Sequence, residues 1–345
     1  MKQTGKTTKI LANFYYVQDT SGKTWECFAR SRMIKEGKML YVGDEVEIET
    51  SSATQGVIVN LRDRKNKIEK PPVANIDQVM IVFSTCEPDF DFYNLDRYLS
   101  FIRYELPNER IIICINKIDL KKVDINKIYK DSGFDIFYVS ALTKEGLSKL
   151  SSQLLKKVTV LAGPSGVGKS SLIKAFAPME DIKIGSLSAI KQGKHITRNI
   201  QLILVNDKNE QGYLVDTPGF TQFSFASLDP YRVLATFNEL KNTACSYEDC
   251  LHNGEKGCVV EDLPLSVSIP QSRYKSYLKI LEEVKTEISY GTKEESKVKL
   301  LEGKQDPGKN KYKPKIDQLK RAKSRKKEKQ ELIKFQKESE NYDFS

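Results

Sequence analysis

A phosphate-binding loop in the middle of the chain constrains the fold more than any other feature. Residues 158–171 read VTVLAGPSGVGKSS, where an apolar run leads into the pattern G-x-x-x-x-G-K-[ST] at Gly163, Gly168, Lys169 and Ser170. Such a loop points backbone N–H groups at a chain of phosphates, and the following helix presents its positive end to the same charges. The lysine is expected to reach the β- and γ-phosphates, and the serine hydroxyl to bind Mg²⁺. The sequence therefore predicts an α/β nucleotide-binding domain.

Two motifs upstream of this loop predict that the base is guanine. The tetrapeptide NKID (116–119) directly follows the apolar run RIIICI, which is typical of a strand buried on both faces of a parallel sheet. The Asp119 carboxylate can accept from N1–H and from the 2-amino group of guanine, two donors that adenine lacks. Asn116 is expected to hold the loops together, and the stem of Lys117 to pack over the base. Further along, SAL (140–142) ends another apolar segment and is placed for backbone contact with the guanine O6 atom.

The segment downstream of the loop predicts the magnesium shell and a switch. The run GYLVDTPGF supplies Asp216 for the Mg²⁺ shell and the Gly219 N–H for the γ-phosphate. In the polar segment GKHIT, Thr197 is the expected second protein ligand to Mg²⁺. Phe220 stands where many GTPases carry a water-orienting glutamine, so His195 is the expected catalytic residue. The alternative for His195 is a solvent-exposed histidine in a basic loop.

The order of these motifs predicts a circularly permuted GTPase domain, because the base-reading motifs usually follow the phosphate loop and here precede it. The same sheet can form from either order when the original chain ends lie close together. The predicted magnesium ligands are Ser170, Thr197 and Asp216. The predicted GTP contacts are Asn116, Lys117, Asp119, Ser140, Ala141, Gly163, Pro164, Ser165, Gly166, Val167, Gly168, Lys169, Ser170, Ser171, Asp216 and Gly219.

Short alternating runs near the N-terminus predict a small antiparallel barrel. The runs FYYVQD, TWECFAR, EVEIET and GVIVNL lie between Ile10 and Asn60 and are separated by turn signals. An OB-type barrel would protect their edges, and such barrels often bind RNA. Alternation places half of the aromatic positions in the core, so RNA-binding and core interpretations both stay open. The candidates for an RNA-binding face are Phe14, Tyr15, Tyr16, Trp25, Phe28, Arg30 and Arg32.

A cluster of cysteine and histidine predicts a structural zinc site. The pattern C-x₄-C-x-H-x₅-C places Cys245, Cys250, His252 and Cys258 within fourteen positions of a chain with 6 cysteines and 2 histidines. Three thiolates and one imidazole complete a tetrahedral Zn²⁺ shell with no open position. A disulfide is a poor alternative, since three cysteines cannot pair fully. A helix is expected around Pro230–Leu240, and an amphipathic helix at 272–288 is expected to close this domain.

Charge and hydropathy predict the partners. The formal net charge of +10 favours an anionic partner beyond the nucleotide. No apolar run approaches the roughly 18 residues of a membrane span, and the N-terminus has no hydrophobic signal core, so we expect a cytoplasmic protein that does not contact membranes, in monomeric form. Residues 291–345 carry 17 Lys and Arg against 10 Asp and Glu with few apolar residues, which predicts a disordered basic tail suited to RNA phosphates. A merely solubilising tail is the alternative.

The chain resembles the RsgA family of ribosome small-subunit-dependent GTPases in the linear order of its features. These are the barrel, the segment PPVANIDQ, NKID, SAL, GPSGVGKSSL, GKHIT, DTPGF and the C-x₄-C-x-H-x₅-C pattern. The resemblance covers about residues 1–290. It implies a late assembly factor that binds the small (30S) ribosomal subunit, touches rRNA with its barrel and zinc domain, and hydrolyses GTP to GDP and phosphate faster there. It also implies a part for His195 in hydrolysis. Ile196 replaces a threonine frequent in the family, and the tail is longer than the family pattern requires.

The predicted architecture is multidomain: an OB-type β-barrel (1–68), a circularly permuted α/β P-loop GTPase domain (73–228), a zinc-binding helical domain (229–290) and the basic tail (291–345). Two other functions stay open. The first is a permuted GTPase of large-subunit assembly, against which the barrel and the zinc cluster argue. The second is a non-enzymatic RNA-binding module with a vestigial nucleotide site. Intact Asp119, Lys169, Ser170 and Asp216 argue against it.

Overall fold

The computed structural model describes residues 2–11, 13–177, 200–207, 210–216, 225, 228–241, 245, 249–255, 257–260 and 269–290. The N-terminal strands are β1 (Lys2–Leu11), β2 (Phe14–Asp19), β3 (Thr24–Ala29), β4 (Glu45–Thr50) and β5 (Gln55–Leu61), with the short helix α1 (Ser31–Lys35) after β3. They close into a barrel, as predicted, and its strand order is β1-β2-β3-β5-β4. The barrel is not wholly antiparallel as expected, because β3 and β5 pair in parallel. Every second residue points inward, and this core includes Val17, Trp25, Cys27, Val46, Ile48 and Ile58.

The first strand lies within the predicted barrel domain, 1–68, but is not one of the alternating runs from which the barrel was predicted. The run KQTGKTTKIL lacks the apolar alternation of the other strands. Its place is fixed by backbone pairing instead, since β1 is antiparallel to both β2 and β4 and closes the barrel between them.

A two-stranded connection, β6 (Lys67–Ile68) and β7 (Val73–Ala74), leads from the barrel to a six-stranded sheet. The strands of this sheet and the helices between them are, in chain order, β8 (Gln78–Ser84), α2 (Phe92–Glu105), β9 (Arg110–Asn116), α3 (Asn126–Tyr129), β10 (Asp135–Tyr138), α4 (Leu147–Ser152), β11 (Val158–Ala162), α5 (Lys169–Phe176), β12 (Leu202–Asp207) and β13 (Glu210–Asp216). Continuous apolar runs form β8, β9 and β11 because both faces of the sheet are covered, by two separate apolar clusters.

The strand order β10-β9-β8-β11-β13-β12 sets the position of the functional site. All neighbouring pairs except β12 and β13 are parallel. The carboxyl ends of β8, β9, β11 and β13 therefore share one edge of the sheet. The phosphate-loop strand β11 lies between β8 and β13, so strands that precede and follow it in the chain flank it in space. This is the arrangement that the permuted motif order predicts.

The C-terminal part of the described chain is helical, with α6 (Pro230–Leu234), α7 (Asn238–Lys241) and α8 (Gln271–Tyr290). The single helix expected around Pro230–Leu240 is wrong: it is broken between α6 and α7. The Thr236 hydroxyl donates to the Val233 carbonyl oxygen at 2.7 Å, a side-chain bond that competes with helical continuation. A third apolar core, which includes Phe237, Leu240, Tyr277 and Ile280, packs against the side chains of α2.

A buried ion cluster joins α8 to the helices α2 and α7. The Arg273 side chain is 2% exposed and donates to Asp96 of α2 at 2.5 Å and to Glu239 of α7 at 2.6 Å. Tyr129 donates its hydroxyl to the same Asp96 oxygen at 2.9 Å. Within the described residues, no helix has the length and apolar character needed to cross a bilayer.

Candidate nucleotide site and metal centre

Glycines shape the phosphate loop between β11 and α5. Gly163 has a φ of 137°, and a Cβ there would lie 2.2 Å from the Val82 carbonyl oxygen. Gly168 has a φ of 95°, and a Cβ there would lie 2.3 Å from the side-chain nitrogen of Asn116. Both positions combine left-handed backbone with a close approach, so neither tolerates a side chain. The loop therefore takes the form of a phosphate cradle at the carboxyl edge of the sheet.

The cation and the carboxylate predicted to act on the phosphates lie on adjacent elements. Lys169 begins α5, and its Nζ donates to the carbonyl oxygens of Gly163 at 2.8 Å and Pro164 at 2.6 Å. Asp216 ends β13, in register with Leu161 at the start of the loop. Burial lowers the pKa of Lys169 and raises the pKa of Asp216, and each charge opposes the other's shift. An anionic phosphate with its Mg²⁺ would supply Lys169 and Asp216 with countercharges in addition to each other.

The rest of the loop offers backbone and hydroxyl groups to the same edge. Val167 is buried and packs in the apolar cluster on one face of the sheet, and Pro164 is half-buried. The side chains that face solvent belong to Ser165, Ser170 and Ser171, together with the exposed Gly166. Ser170, the predicted magnesium ligand, is exposed to solvent in the first turn of α5.

Asn116 connects the base-reading turn to both neighbouring loops. Its side-chain nitrogen donates to the Val167 carbonyl oxygen at 2.9 Å, and its side-chain oxygen accepts from the Ala141 N–H at 3.0 Å. Lys117 has a φ of 65° and donates its Nζ to the carbonyl oxygens of Cys86, at 3.4 Å, and Glu87. Asp119 is exposed to solvent. The turn after β9, the SAL segment and the phosphate loop are thus connected to one another through Asn116.

The SAL segment is held from within. Ser140 is fully buried; its N–H donates to the Glu145 carbonyl oxygen at 3.0 Å, and its hydroxyl oxygen accepts from the Thr143 N–H at 3.0 Å. The Ala141 N–H is already bonded to Asn116, whereas the Leu142 side chain is 81% exposed. The segment lies beside the base-reading turn, and its contact with the guanine O6 atom stays a prediction.

Four predictions fall on residues outside those that the structure describes: the catalytic residue His195, the magnesium ligand Thr197, the γ-phosphate contact Gly219, and the basic tail 291–345.

Sequence reasoning missed the loop that follows β8. Thr85 is fully buried and bonds the base-reading turn, and the Pro88 ring lies 3.4 Å from where a Cβ of Gly166 would be. The sequence could have indicated this loop only by its position, because it follows a buried strand whose carboxyl end lies at the same edge of the sheet as the phosphate loop.

The predicted zinc ligands converge in the helical region. The ligand atoms of Cys245, Cys250, His252 and Cys258 all lie within 4.8 Å of one another. His252 Nδ1 is 3.3 Å from the Cys245 sulfur, 3.8 Å from the Cys250 sulfur and 3.4 Å from the Cys258 sulfur. Ligands of a tetrahedral zinc ion are about 3.5–3.8 Å apart, given the usual metal–ligand bond lengths. The donor set and its spacing fit one structural Zn²⁺.

Surrounding groups orient these four side chains. The N–H groups of His252 and Val260 donate to the sulfurs of Cys250 and Cys258, at 3.3 Å and 3.4 Å. The imidazole also hydrogen-bonds the Leu240 backbone, and Tyr274 of α8 donates to the His252 carbonyl oxygen at 2.8 Å. Burial raises the pKa of Cys250 to about 12, so a metal would have to displace its proton on binding. The metal cluster is therefore tied to the helices around it.

Comparison with known proteins finds the same family for the N-terminal barrel and for the domain that follows it. The sequence model of the RsgA GTPase matches residues 61–226, and that of the RsgA N-terminal domain matches residues 4–58. A relative from Geobacillus sp. (strain WCH70), named small ribosomal subunit biogenesis GTPase RsgA, is 36% identical over 291 residues, covering 81% of this chain and 97% of its own. A relative of the same name from Bacillus pumilus is 35% identical, with the same coverage.

Two solved structures resemble the fold. YjeQ from Thermotoga maritima superimposes with a TM-score of 0.69 at 31% identity and covers 82% of this chain and 99% of its own. YloQ, described as a circularly permuted GTPase, superimposes with a TM-score of 0.66 at 28% identity and covers 83% of this chain and 96% of its own.

Proposed function

This chain belongs to the RsgA GTPase family and is a GTP hydrolase, and we propose that it acts in the biogenesis of the small ribosomal subunit. The observation that supports nucleotide binding is the contact of Asn116 with Val167, 51 residues apart, which joins the predicted guanine-reading turn to the phosphate loop. The role in small-subunit biogenesis is supported by the relatives that carry that name. The relatives named for small-subunit biogenesis match this chain over 97% of their length, barrel and helical region included.

We propose that Asp119 reads the guanine base, that Lys169 and the loop 163–171 bind the phosphates, and that Ser170 and Asp216 hold the Mg²⁺ that accompanies GTP. The exposed carboxylate of Asp119 and the paired charges of Lys169 and Asp216 support these assignments. Thr197 as a second magnesium ligand, Gly219 at the γ-phosphate and His195 at the attacking water complete the proposed set.

One face of the barrel suits rRNA. Phe14 and Phe28 are 36% and 44% exposed, and their ring centroids are 4.7 Å apart. Trp25, in contrast, is only 5% exposed and belongs to the core. Exposed aromatic rings offer stacking surfaces for unpaired bases, and the net charge of +10 favours phosphates. We therefore propose that the barrel contacts rRNA through this face.

We also propose how the chain is divided into domains and where the protein acts. Apolar cores in the barrel, on the sheet and around α8 support three domains, for which we propose the bounds 1–68, 73–228 and 229–290. Val42 and Ile68 join the core of the sheet, and Phe225 and Leu228 join the core around α8, so the domains share apolar contacts at their borders. The Cys₃His cluster would hold one structural Zn²⁺ in the third domain. Assembly of ribosomal subunits would place a monomer in the bacterial cytoplasm.

The decisive experiment measures GTP hydrolysis by the full chain alone, with purified small subunits and with purified large subunits. Stimulation by small subunits only is expected. Stimulation by large subunits only would favour the large-subunit alternative, and a protein that neither hydrolyses GTP nor prefers it over ATP would be the vestigial module. His195→Ala should retain GTP binding and lose most of the stimulated rate, whereas the matched control Gln192→Ala should retain both; full stimulation of His195→Ala would remove histidine from the catalytic role.

A further inference from the structure

Thr85 occupies an unusual place at the base-reading edge of the sheet. It follows β8 directly, and because Ser84 pairs with Asn116 in the parallel register, Thr85 lies beside Lys117. The side chain is fully buried. Its backbone N–H donates to the Asn116 carbonyl oxygen at 3.0 Å, and its hydroxyl donates to the Lys117 carbonyl oxygen at 2.7 Å. Two consecutive carbonyls of the base-reading turn are thus held by one residue.

The carbonyl that receives the Thr85 hydroxyl also closes the turn that carries Asp119. The Leu120 N–H donates to the Lys117 carbonyl oxygen at 3.0 Å, which makes residues 117–120 a tight turn with Asp119 at its third position. Lys117 has a φ of 65°, a conformation that residues other than glycine adopt only when their surroundings enforce it. The hydroxyl of Thr85 supplies part of that enforcement from the neighbouring strand.

The contact is reciprocal. The Lys117 ammonium group reaches back to the carbonyl oxygens of Cys86 and Glu87, so the segment after β8 and the turn after β9 hold each other at three points. A carboxylate that accepts two donors from one base must be placed precisely in angle as well as in distance. Whatever fixes the Lys117 carbonyl therefore fixes the backbone of the turn that carries Asp119.

We propose that Thr85 is a positioning residue for guanine selectivity, acting through the Lys117 carbonyl on Asp119 and not on the phosphates. The inference rests on the proposed guanine site. Loss of the hydroxyl should weaken the contact with the 2-amino group of the base, and should leave the phosphate contacts of Lys169, on a separate loop, unchanged.

The test compares the affinities of the full chain for GDP and for inosine diphosphate, whose base lacks the 2-amino group. Thr85→Val keeps the branched shape and removes the hydroxyl, and it should weaken GDP binding about three- to tenfold while inosine diphosphate binding changes much less. Thr85→Ser, which keeps the hydroxyl, should restore the wild-type ratio. Ser84→Ala is the matched control, because its equally buried hydroxyl donates to the Pro88 carbonyl oxygen at 2.8 Å and not to the base-reading turn.

Equal weakening of both nucleotides in Thr85→Val would show general loosening of the site and would overturn the inference, as would unchanged affinities for both. Thr85→Ala provides the same comparison if the valine variant does not fold. A wild-type protein that binds GDP and ADP alike would instead overturn the guanine site itself, so failure of the proposed function and failure of this inference give different results.

Discussion

The side-chain nitrogen of Asn116 donates a hydrogen bond of 2.9 Å to the carbonyl oxygen of Val167, joining the base-reading turn to the phosphate loop. Both residues are buried. The next residue, Gly168, leaves room for this amide, because a Cβ there would lie 2.3 Å from the same nitrogen. The two halves of the nucleotide site are therefore coupled by a contact that depends on an asparagine on one side and a glycine on the other.

Replacing Asn116 with alanine should weaken GDP binding about ten- to a hundredfold, because it leaves the Val167 carbonyl and the Ala141 N–H without their partner. Titration with a fluorescent GDP analogue measures the change. Asn126→Ala is the control, since the Asn126 amide bonds only to the exposed Asp124 carboxylate at 2.8 Å. Unchanged affinity in Asn116→Ala would show that the bridge between the loops does not support the site.

Replacing Asp119 with asparagine should shift the base preference from guanine to xanthine. The carboxylate accepts from the 2-amino group of guanine, whereas an amide can donate to the 2-oxo group of xanthine. Competition between GDP and xanthosine diphosphate measures the preference. Asp124→Asn, an exposed carboxylate near the same turn, should leave it unchanged. Retention of guanine preference by the Asp119 variant would contradict the assignment.

Sequence patterns predict the sheet well because its strands are buried on both faces. Runs such as RIIICI can be nothing but strands or buried helices, and their lengths and the polar motifs at their ends decide between the two. Strand β1 could not be found this way, since its Lys- and Thr-rich run carries no burial pattern and is fixed by pairing on both sides. The helix break at Thr236 also escaped prediction, because the hydroxyl bonds of Thr236 to Val233 and to Ser100 of α2 leave no pattern in the sequence.

The site shows the same division. Motif residues such as Lys169 and Asp119 could be assigned roles from the sequence because their spacing is typical of nucleotide binding, and those roles stay predictions. Thr85 was missed because its role arises from the register of β8 against β9, which places it beside Lys117. No local pattern encodes a contact between residues 32 positions apart.

Replacing Arg273 with alanine should lower the free energy of unfolding by about 3–5 kcal/mol, because two buried carboxylates, Asp96 and Glu239, lose their shared cation. Chemical denaturation measures the loss. The matched control is Lys65→Ala, because the Lys65 ammonium lies 3.2 Å from the carboxylate of Asp77 and both side chains are partly exposed. This replacement should lower the free energy of unfolding by at most about 1 kcal/mol. Similar costs for the two variants would show that the buried cluster does not hold α8 in place.

Replacing Cys250 with alanine should reduce bound zinc from one per chain towards none, since three ligands remain and the buried cluster opens to solvent. The loss should unfold the region around α8, whose Tyr274 bonds the His252 carbonyl, while GDP binding persists. Metal analysis and protection of α8 amides from hydrogen exchange measure the two effects. Cys86→Ala, outside the cluster, should retain the metal. Well-folded wild-type protein without zinc would contradict the site.

Removing the exposed rings of the barrel should weaken RNA binding without unfolding the barrel. Phe14 and Phe28 touch each other on the outer surface, whereas the barrel core is built from Trp25 and its neighbours. Stacking of one base on an aromatic ring is worth about 1–3 kcal/mol, so Phe28→Ser should weaken binding to small-subunit rRNA roughly tenfold, and the double variant with Phe14→Ser should weaken it further.

The control for both phenylalanine variants is Met39→Ser, because Met39 is 69% exposed and apolar but offers no ring on which a base can stack. Thermal unfolding should be nearly unchanged in all three variants, since the replaced side chains lie outside the core. Salt dependence separates the two contributions to binding: stacking is lost in Phe28→Ser with the salt slope retained, because the phosphate contacts of Lys and Arg remain. Equal loss of affinity in Met39→Ser would show that general apolar exposure, and not the aromatic pair, accounts for the binding.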